Sequence, residues 1–343
     1  MLSRLQFAQF RFRLSPVQPL SMPARNKSNV LRGAFGTMLR RLCCHPQCPG
    51  ARQCELRAAC PYARVFEPAP APGAPALSNY EAIPRPFVIR PPLAAAGDVI
   101  KVDPKNRYEP GEELEFGLIL VGRIVEFLPY FVLTFERLGE EGLGPNRARC
   151  RLERVEQVSF PPSAFWLPPS VPSEPPPVVV FDGASRVMRS PTAHSAMGNS
   201  ALRAPRSALA VRFLTPTHLV FEEKVVREPE FHHLVRRLRD RLNALATFYC
   251  DGPLELDFKG LGERARAVRC TRRDLQWEAR ERRSARTGRR HDIGGFVGEC
   301  AFAADGEDGL AEFLPLLELG QYLHVGKHTA WGNGWYLIAS AAG

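Results

Sequence analysis

Two clusters in this 343-residue chain have residue types and spacing suited to chemistry. The first is the stretch 319–338, LGQYLHVGKHTAWGNGWYLI. It holds Gly320, Gly326, Gly332 and Gly334, the basic or imidazole side chains His324, Lys327 and His328, and the aromatics Tyr322, Trp331 and Trp335. Glycines at these spacings permit positive φ and let backbone approach a ligand closely. Backbone N–H groups beside Lys and His make an anion site, and phosphate is the usual anion. No Ser or Thr follows Lys327 as a Walker loop demands, and G-x-G-x-x-G is not present. The bland reading is a glycine-rich turn before a last strand.

The second cluster is Cys44-x3-Cys48-x5-Cys54-x5-Cys60, with Cys43 and His45 beside it. Four thiolates over so short a span can make a tetrahedral zinc site or hold an iron–sulfur cluster. No C-x2-C pair is present, and free thiols in a loop are the alternative. The metal, whether zinc or iron–sulfur, is expected to be structural. Cys150, Cys250, Cys270 and Cys300 are scattered and read as small core residues. Such a distribution is not a secreted disulfide framework.

Arginine-rich segments surround these clusters. Arg32, Arg40 and Arg41 lie on one helical stretch, Arg237 and Arg241 on another, and Arg280 and Arg283 in the loop WEARERRSARTGRR. The net charge of +10 argues for a polyanionic partner. Solvated basic faces are the alternative. No run reaches the roughly 18 apolar residues of a membrane helix. The expectation is a cytoplasmic protein without membrane attachment.

Elements that must position these residues follow from periodicity. Residues 5–14 alternate as a strand, 29–42 form an amphipathic helix, and 87–89 and 113–121 read as strands. Residues 123–138 make a buried helix that Pro129 is expected to kink, and 149–158 form a strand. A Pro-rich connection covers 161–205, with one short strand at 178–181. A second unit follows: strand from 207, helix 230–249, strands 264–277 and 294–302, helix 310–317 and strand 335–338. The 45% hydrophobic content supports two cores. Each unit reads strand, helix, strand, strand, helix, strand, so the fold class is α+β with two tandem ferredoxin-like (βαββαβ) domains. The first occupies 1–160, with the Cys-rich insertion at 43–67, and the second 206–343, with the glycine-rich loop before its last strand.

The core His324-Val325-Gly326-Lys327-x-Thr329-x-Trp331-Gly332-x-Gly334 resembles the C-terminal signature of the CRISPR-associated RAMP superfamily. Within it, the likeness is to the precursor-CRISPR-RNA processing endoribonucleases. The segment CPYARVFEP, 60–68, is similar to a recurrent segment in one branch of that family. The resemblance implies cleavage within CRISPR repeat RNA by metal-independent 2′-hydroxyl attack. The products are a 2′,3′-cyclic phosphate and a 5′-hydroxyl, and no cofactor is needed for catalysis. It implies a catalytic set drawn from His45, His324 and Lys327. RNA contacts are expected from Arg32, Arg40, Arg41, Arg237, Arg241, Arg280 and Arg283 and from Gly326, Gly332 and Gly334. His45 departs from the family pattern, because it lies within the cysteine cluster. Other CRISPR effector subunits are further expected partners. The alternatives are a non-catalytic RNA-binding RAMP subunit of an effector complex, and a metal-dependent nuclease or zinc-dependent regulator built on the cysteines.

Overall fold

The computed structural model describes residues 2–51, 53–69, 83–96, 99–158, 176–195, 207–283, 288 and 290–340. The first domain runs β1 (Gln6–Pro16), α1 (Lys27–Cys43), β2 (Phe87–Arg90), β3 (Leu114–Val121), α2 (Leu128–Glu141) and β4 (Cys150–Gln157). A further strand, β5 (Val178–Asp182), pairs with β4. The second domain runs β6 (Ala208–Thr217), α3 (Phe231–Tyr249), β7 (Arg269–Glu278), β8 (Gly295–Ala303), α4 (Leu314–Leu323) and β9 (Tyr336–Ser340).

The first sheet has the antiparallel order β5-β4-β1-β3-β2 and the second β7-β8-β6-β9. Counting strands within each unit, both sheets follow the order 4-1-3-2, the ferredoxin-like arrangement expected from the sequence. Phe10, Phe12 and Leu14 alternate into the first core, where Phe35 of α1 stacks on Phe131 of α2 with centroids 4.4 Å apart. In the second domain Phe231 packs edge-on against Phe302 and Phe313. Aromatic pairs of this kind add about 0.5–1.5 kcal/mol beyond burial.

Four differences from the sequence-based expectations have physical causes. The short strand expected at 178–181 forms as β5 and joins the first sheet, but the rest of the connection is not all linker, since His194 and Ser195 pair with β1. Pro129 starts α2 instead of kinking it, because its missing N–H is no loss in a first turn. The helix predicted at 310–317 lies at Leu314–Leu323, so the first glycine of the glycine-rich stretch is helical. Gly320 there leaves room for the Tyr336 hydroxyl, which donates to Leu317 O at 2.7 Å. The strand predicted from Arg264 begins at Arg269, because Phe258–Arg264 is a helix capped by Asp257.

The two domains meet along β1. Phe7 through Phe10 are buried on both strand faces, one against the first core and one against the second domain. Phe7 lies 5.1 Å from Tyr322 of α4. The Tyr249 hydroxyl donates to Pro84 O at 2.8 Å across the same seam. A cleft of about 290 Å³ runs along it, lined by Gln9, Arg11, Glu115, Tyr322 and Trp335 among others. No helix among the described residues is long and apolar enough to cross a membrane.

Candidate functional site at the seam of the two domains

The glycine-rich loop leaves α4 at His324 and enters β9 after Trp335. His324 and His328 both take left-handed backbone, with φ of 64° and 65°. His324 is fully buried. Its Nε2 accepts from Arg90 Nε at 3.2 Å, and its Nδ1 is 3.0 Å from Asn333 O. Since Arg90 can only donate, the ring is neutral with its proton on Nδ1. Burial, reinforced by the Arg90 charge, holds its pKa well below the usual histidine range. Both ring nitrogens are engaged and the ring stacks on Trp335 at 5.6 Å. The expected catalytic His324 is therefore built into the loop's foundation, out of reach of a substrate proton.

The three glycines serve the same packing. A Cβ on Gly332, at φ 77°, would sit 2.6 Å from Ile89 O and 2.9 Å from Ser28 Oγ, both in the other domain. Cβ atoms on Gly326 and Gly334 would collide with the carbonyls of His218 and Val325. Their expected RNA contacts give way on those faces to close approach of protein backbone. Thr215 Oγ1 donates to Gly332 O at 2.8 Å, and Lys327 N donates to His218 O at 2.9 Å, completing the loop's internal bonds.

This foundation presents a small basic surface. Lys327 is exposed and His328 half-buried. The His328 ring stacks on Trp331 at 4.6 Å, lies 6.0 Å from the His218 ring and bonds the Asp292 carbonyl. Burial first, then His218 and Lys327, push its pKa down to about 4, so it is neutral at pH 7. His218 is buried and its Nδ1 is 3.0 Å from Gly294 O. Trp277 carries the half-exposed Arg227 guanidinium 4.3 Å over its ring and faces His218. Periodicity gave no signal for His328 or His218, although His328 lies within the motif.

Across the seam lies the first half of α1. Ser28 is buried, and its Oγ has no hydrogen-bond partner among the described residues. Lys27 is fully buried, donating to Asp103 O and lying 3.7 Å from Asp103 Oδ2. Arg25 is exposed, and its carbonyl accepts from Arg280 Nη1 of the second domain. Arg32, expected on an outer basic face, is buried between two rings, 4.3 Å from Phe66 and 5.0 Å from Trp331. It joins α1, the end of the Cys-rich insertion and the glycine loop.

Of the other expected RNA contacts, Arg241 and Arg280 are internal supports, while Arg41 and Arg237 pair with acidic side chains nearer the surface. Arg241 is buried and donates to Leu323 O at 2.9 Å. Arg90 donates to Gln321 O at 2.7 Å and Tyr322 O at 3.1 Å. Together these two arginines satisfy carbonyls of the last turn of α4, where cations are favoured. Arg41 makes a forked pair with Glu141, and Arg237 lies 4.0 Å from Asp240. Arg280 is largely buried and pairs with Glu278. Arg283 stands in a short strand opposite Arg290. Arg40 is exposed near the end of α1.

His45 is also exposed, just past α1. Arg32 and Cys43 are eleven residue steps apart on α1, about 16 Å of helix at roughly 1.5 Å per step. His45 is thus not brought together with His324 or Lys327. Cys44 lies beside Cys48 and Cys60, and Cys48 beside Cys54, but among the described residues no three such side chains surround one point.

Fold and seam define a tandem ferredoxin-like protein with a basic, glycine-built loop packed against the first helix of the partner domain. Residues 211–336, from β6 into β9, match the family model of the CRISPR-associated endoribonuclease Cas6. Residues 5–166 match the model AF_1859_N, described as an N-terminal domain. The second domain is thus similar to the Cas6 endoribonuclease family over residues 211–336, in keeping with the resemblance seen in the sequence. No curated protein matches it. Similar solved structures include a Cas6 product complex, at 16% identity and TM-score 0.54, covering 97% of this chain and 99% of that one. A second Cas6 product complex matches at 17% identity and TM-score 0.51, covering 98% and 100%. Thermus thermophilus Cas6 matches at 18% identity and TM-score 0.51, covering 98% and 99%. These likenesses establish the fold.

Proposed function

We propose that the protein is an endoribonuclease that cuts CRISPR repeat RNA to mature guide RNA, without a metal in the chemical step. The observation that carries this is the seam itself, inside the Cas6-family match. There Lys327 and His328 project from a rigidly seated loop beside the N-terminal half of α1. The 2′-hydroxyl next to the scissile phosphate attacks phosphorus as its proton is removed. The P–O5′ bond breaks, the 5′-oxygen takes up a proton, and a 2′,3′-cyclic phosphate and a 5′-hydroxyl remain. The requirements are a proton acceptor for the 2′-hydroxyl, a proton donor for the departing 5′-oxygen and a cation for the charged phosphorane. Neutral His328 is suited to accept the proton, and Lys327 to stabilise the phosphorane. Arg25 and Arg227 extend the cationic surface for neighbouring phosphates. The Cas6 product complexes among the similar structures support repeat RNA as the substrate. A structure described as a partial Cas6-RT-Cas1--Cas2 complex matches over 46% of its chain at TM-score 0.51, which supports other CRISPR proteins as partners.

The alternative is a non-catalytic RNA-binding subunit, since neither His45 nor His324 is placed for proton transfer at the loop surface. End-labelled repeat RNA incubated with purified protein in EDTA separates the two. Cleavage with a cyclic phosphate end supports the nuclease. Tight binding without cleavage selects the alternative, and cleavage that requires added divalent metal refutes the mechanism.

A further inference from the structure

We propose that Cys44, Cys48, Cys54 and Cys60 bind one zinc ion, which staples the end of α1 to the segment that carries Phe66. The four thiols belong to three different turns yet form a continuous chain of contacts, Cys60 to Cys44 to Cys48 to Cys54. A tetrahedron of thiolates with zinc–sulfur bonds of about 2.3 Å has edges of about 3.8 Å. An iron–sulfur cube places its iron core between the thiolates and holds them further apart. Thiols that neighbour one another directly suit a single ion. Among the described residues no three such side chains already surround one point. Closing the chain takes side-chain rotations at Cys48 and Cys54, and metal binding of this kind commonly completes the site.

The backbone is arranged to hold ligands. Cys44 ends α1, Cys54 precedes the turn Glu55–Ala58, and Cys60 caps the helix Pro61–Val65. Three of the four thiols are therefore fixed at the end of a regular element. Between Cys48 and Cys54, Gly50 adopts φ 109° and aims its N–H at the Cys48 sulfur. A peptide N–H on sulfur is the contact that stabilises a metal-bound thiolate. Four thiolates and one zinc ion carry a net charge of −2, and Arg40 stands near Cys48 to offset it.

Little else orders the segment. Among the described residues from His45 to Ala59, Ala51 is the buried hydrophobic one. The turn Glu55–Ala58 buries nothing, and Leu56 is 74% exposed. A segment that cannot bury a core of its own takes its stability from a cross-link. What it supports is specific. The Phe66 ring occupies the space over Gly36 and lies 4.3 Å from Arg32, which in turn reaches Trp331 of the glycine loop. The ion would brace the seam from behind without touching RNA, so the proposal stands apart from the catalytic reading.

The test uses the full chain, expressed in zinc-supplemented cells and purified under reducing conditions. Elemental analysis should find about one zinc per chain, released stoichiometrically by a mercurial that titrates the thiols. Cys54→Ser should lose the metal, while Cys43→Ser and Cys270→Ser keep it. Should Cys54→Ser fail to fold, the wild-type chain still decides: cobalt substitution should give the visible absorption of a tetrahedral four-sulfur site. A folded chain with less than about a tenth of an equivalent of zinc overturns the proposal. So do iron in place of zinc, or an intact mass lowered by the hydrogens that disulfides lose.

Discussion

Arg90→Ala probes the joint on which the seam rests. Arg90 makes four hydrogen bonds across the domain boundary or beside it. Nε donates to His324 Nε2 at 3.2 Å, Nη1 to Gln9 Oε1 at 3.2 Å, and Nη2 to Gln321 O at 2.7 Å and Tyr322 O at 3.1 Å. The guanidinium also lies 4.4 Å over Trp335. Burial lowers its pKa to about 9, which still leaves it charged near neutrality. Truncation opens a space that water can enter, and Gln9 can turn to meet it. His324 Nε2 and Gln321 O are the acceptors least able to find new partners. Two buried acceptors left unsatisfied cost about 1–3 kcal/mol each, so the loss should centre near 4 kcal/mol. Arg90→Lys keeps the charge but not the fork and should cost about half as much. Urea unfolding followed by circular dichroism, with intrinsic fluorescence reporting Trp335, measures this directly. The expected signature is an earlier transition that splits in two as the domains uncouple. A loss below about 1 kcal/mol with one unchanged transition would refute the claim that Arg90 locks the domains.

Lys327→Ala should slow repeat-RNA cleavage about tenfold to a hundredfold, the worth of one charged contact of roughly 1.5–3 kcal/mol, with melting unchanged. Early melting with normal cleavage in the cold would make Lys327 structural. His328→Ala should reduce the single-turnover rate about 10²–10⁴-fold; a rate within threefold of wild type would remove it as the proton acceptor. Stability should fall as pH drops below about 6.5, the free histidine value. His324, His328 and His233 have depressed folded-state pKa values, near 4 for the last two, so the unfolded chain binds protons that the folded chain refuses. The loss should run from about pH 6.5 down through 4, where His328 and His233 titrate, and His324→Gln should flatten part of it. A flat profile over that window contradicts the buried, neutral rings. Gly332→Ala should destabilise by about 2–4 kcal/mol, because it combines a left-handed alanine with overpacking against Ile89 and Ser28. Melting within a degree of wild type would show that the loop is not seated there.

The sequence by itself determined the order of elements. Alternation in residues 5–14 and 149–158 and the apolar face of 231–249 are local patterns, fixed by the periods of strand and helix, and the structure forms each. The glycine spacing likewise marked the loop before β9, since positive φ is written in residue type. Tertiary structure decided what the charged residues do. Arg32, Arg90 and Arg241 carry no local sign that they are buried. An arginine on a helix face reads as solvated until a second domain supplies rings and orphan carbonyls for it to bond. His324 and His328, four residues apart in one motif, part company for the same reason. One lies under Arg90 with both nitrogens engaged, and the other lies at the loop surface beside Lys327. Burial depends on which surface the loop meets, and that surface belongs to residues more than two hundred positions away.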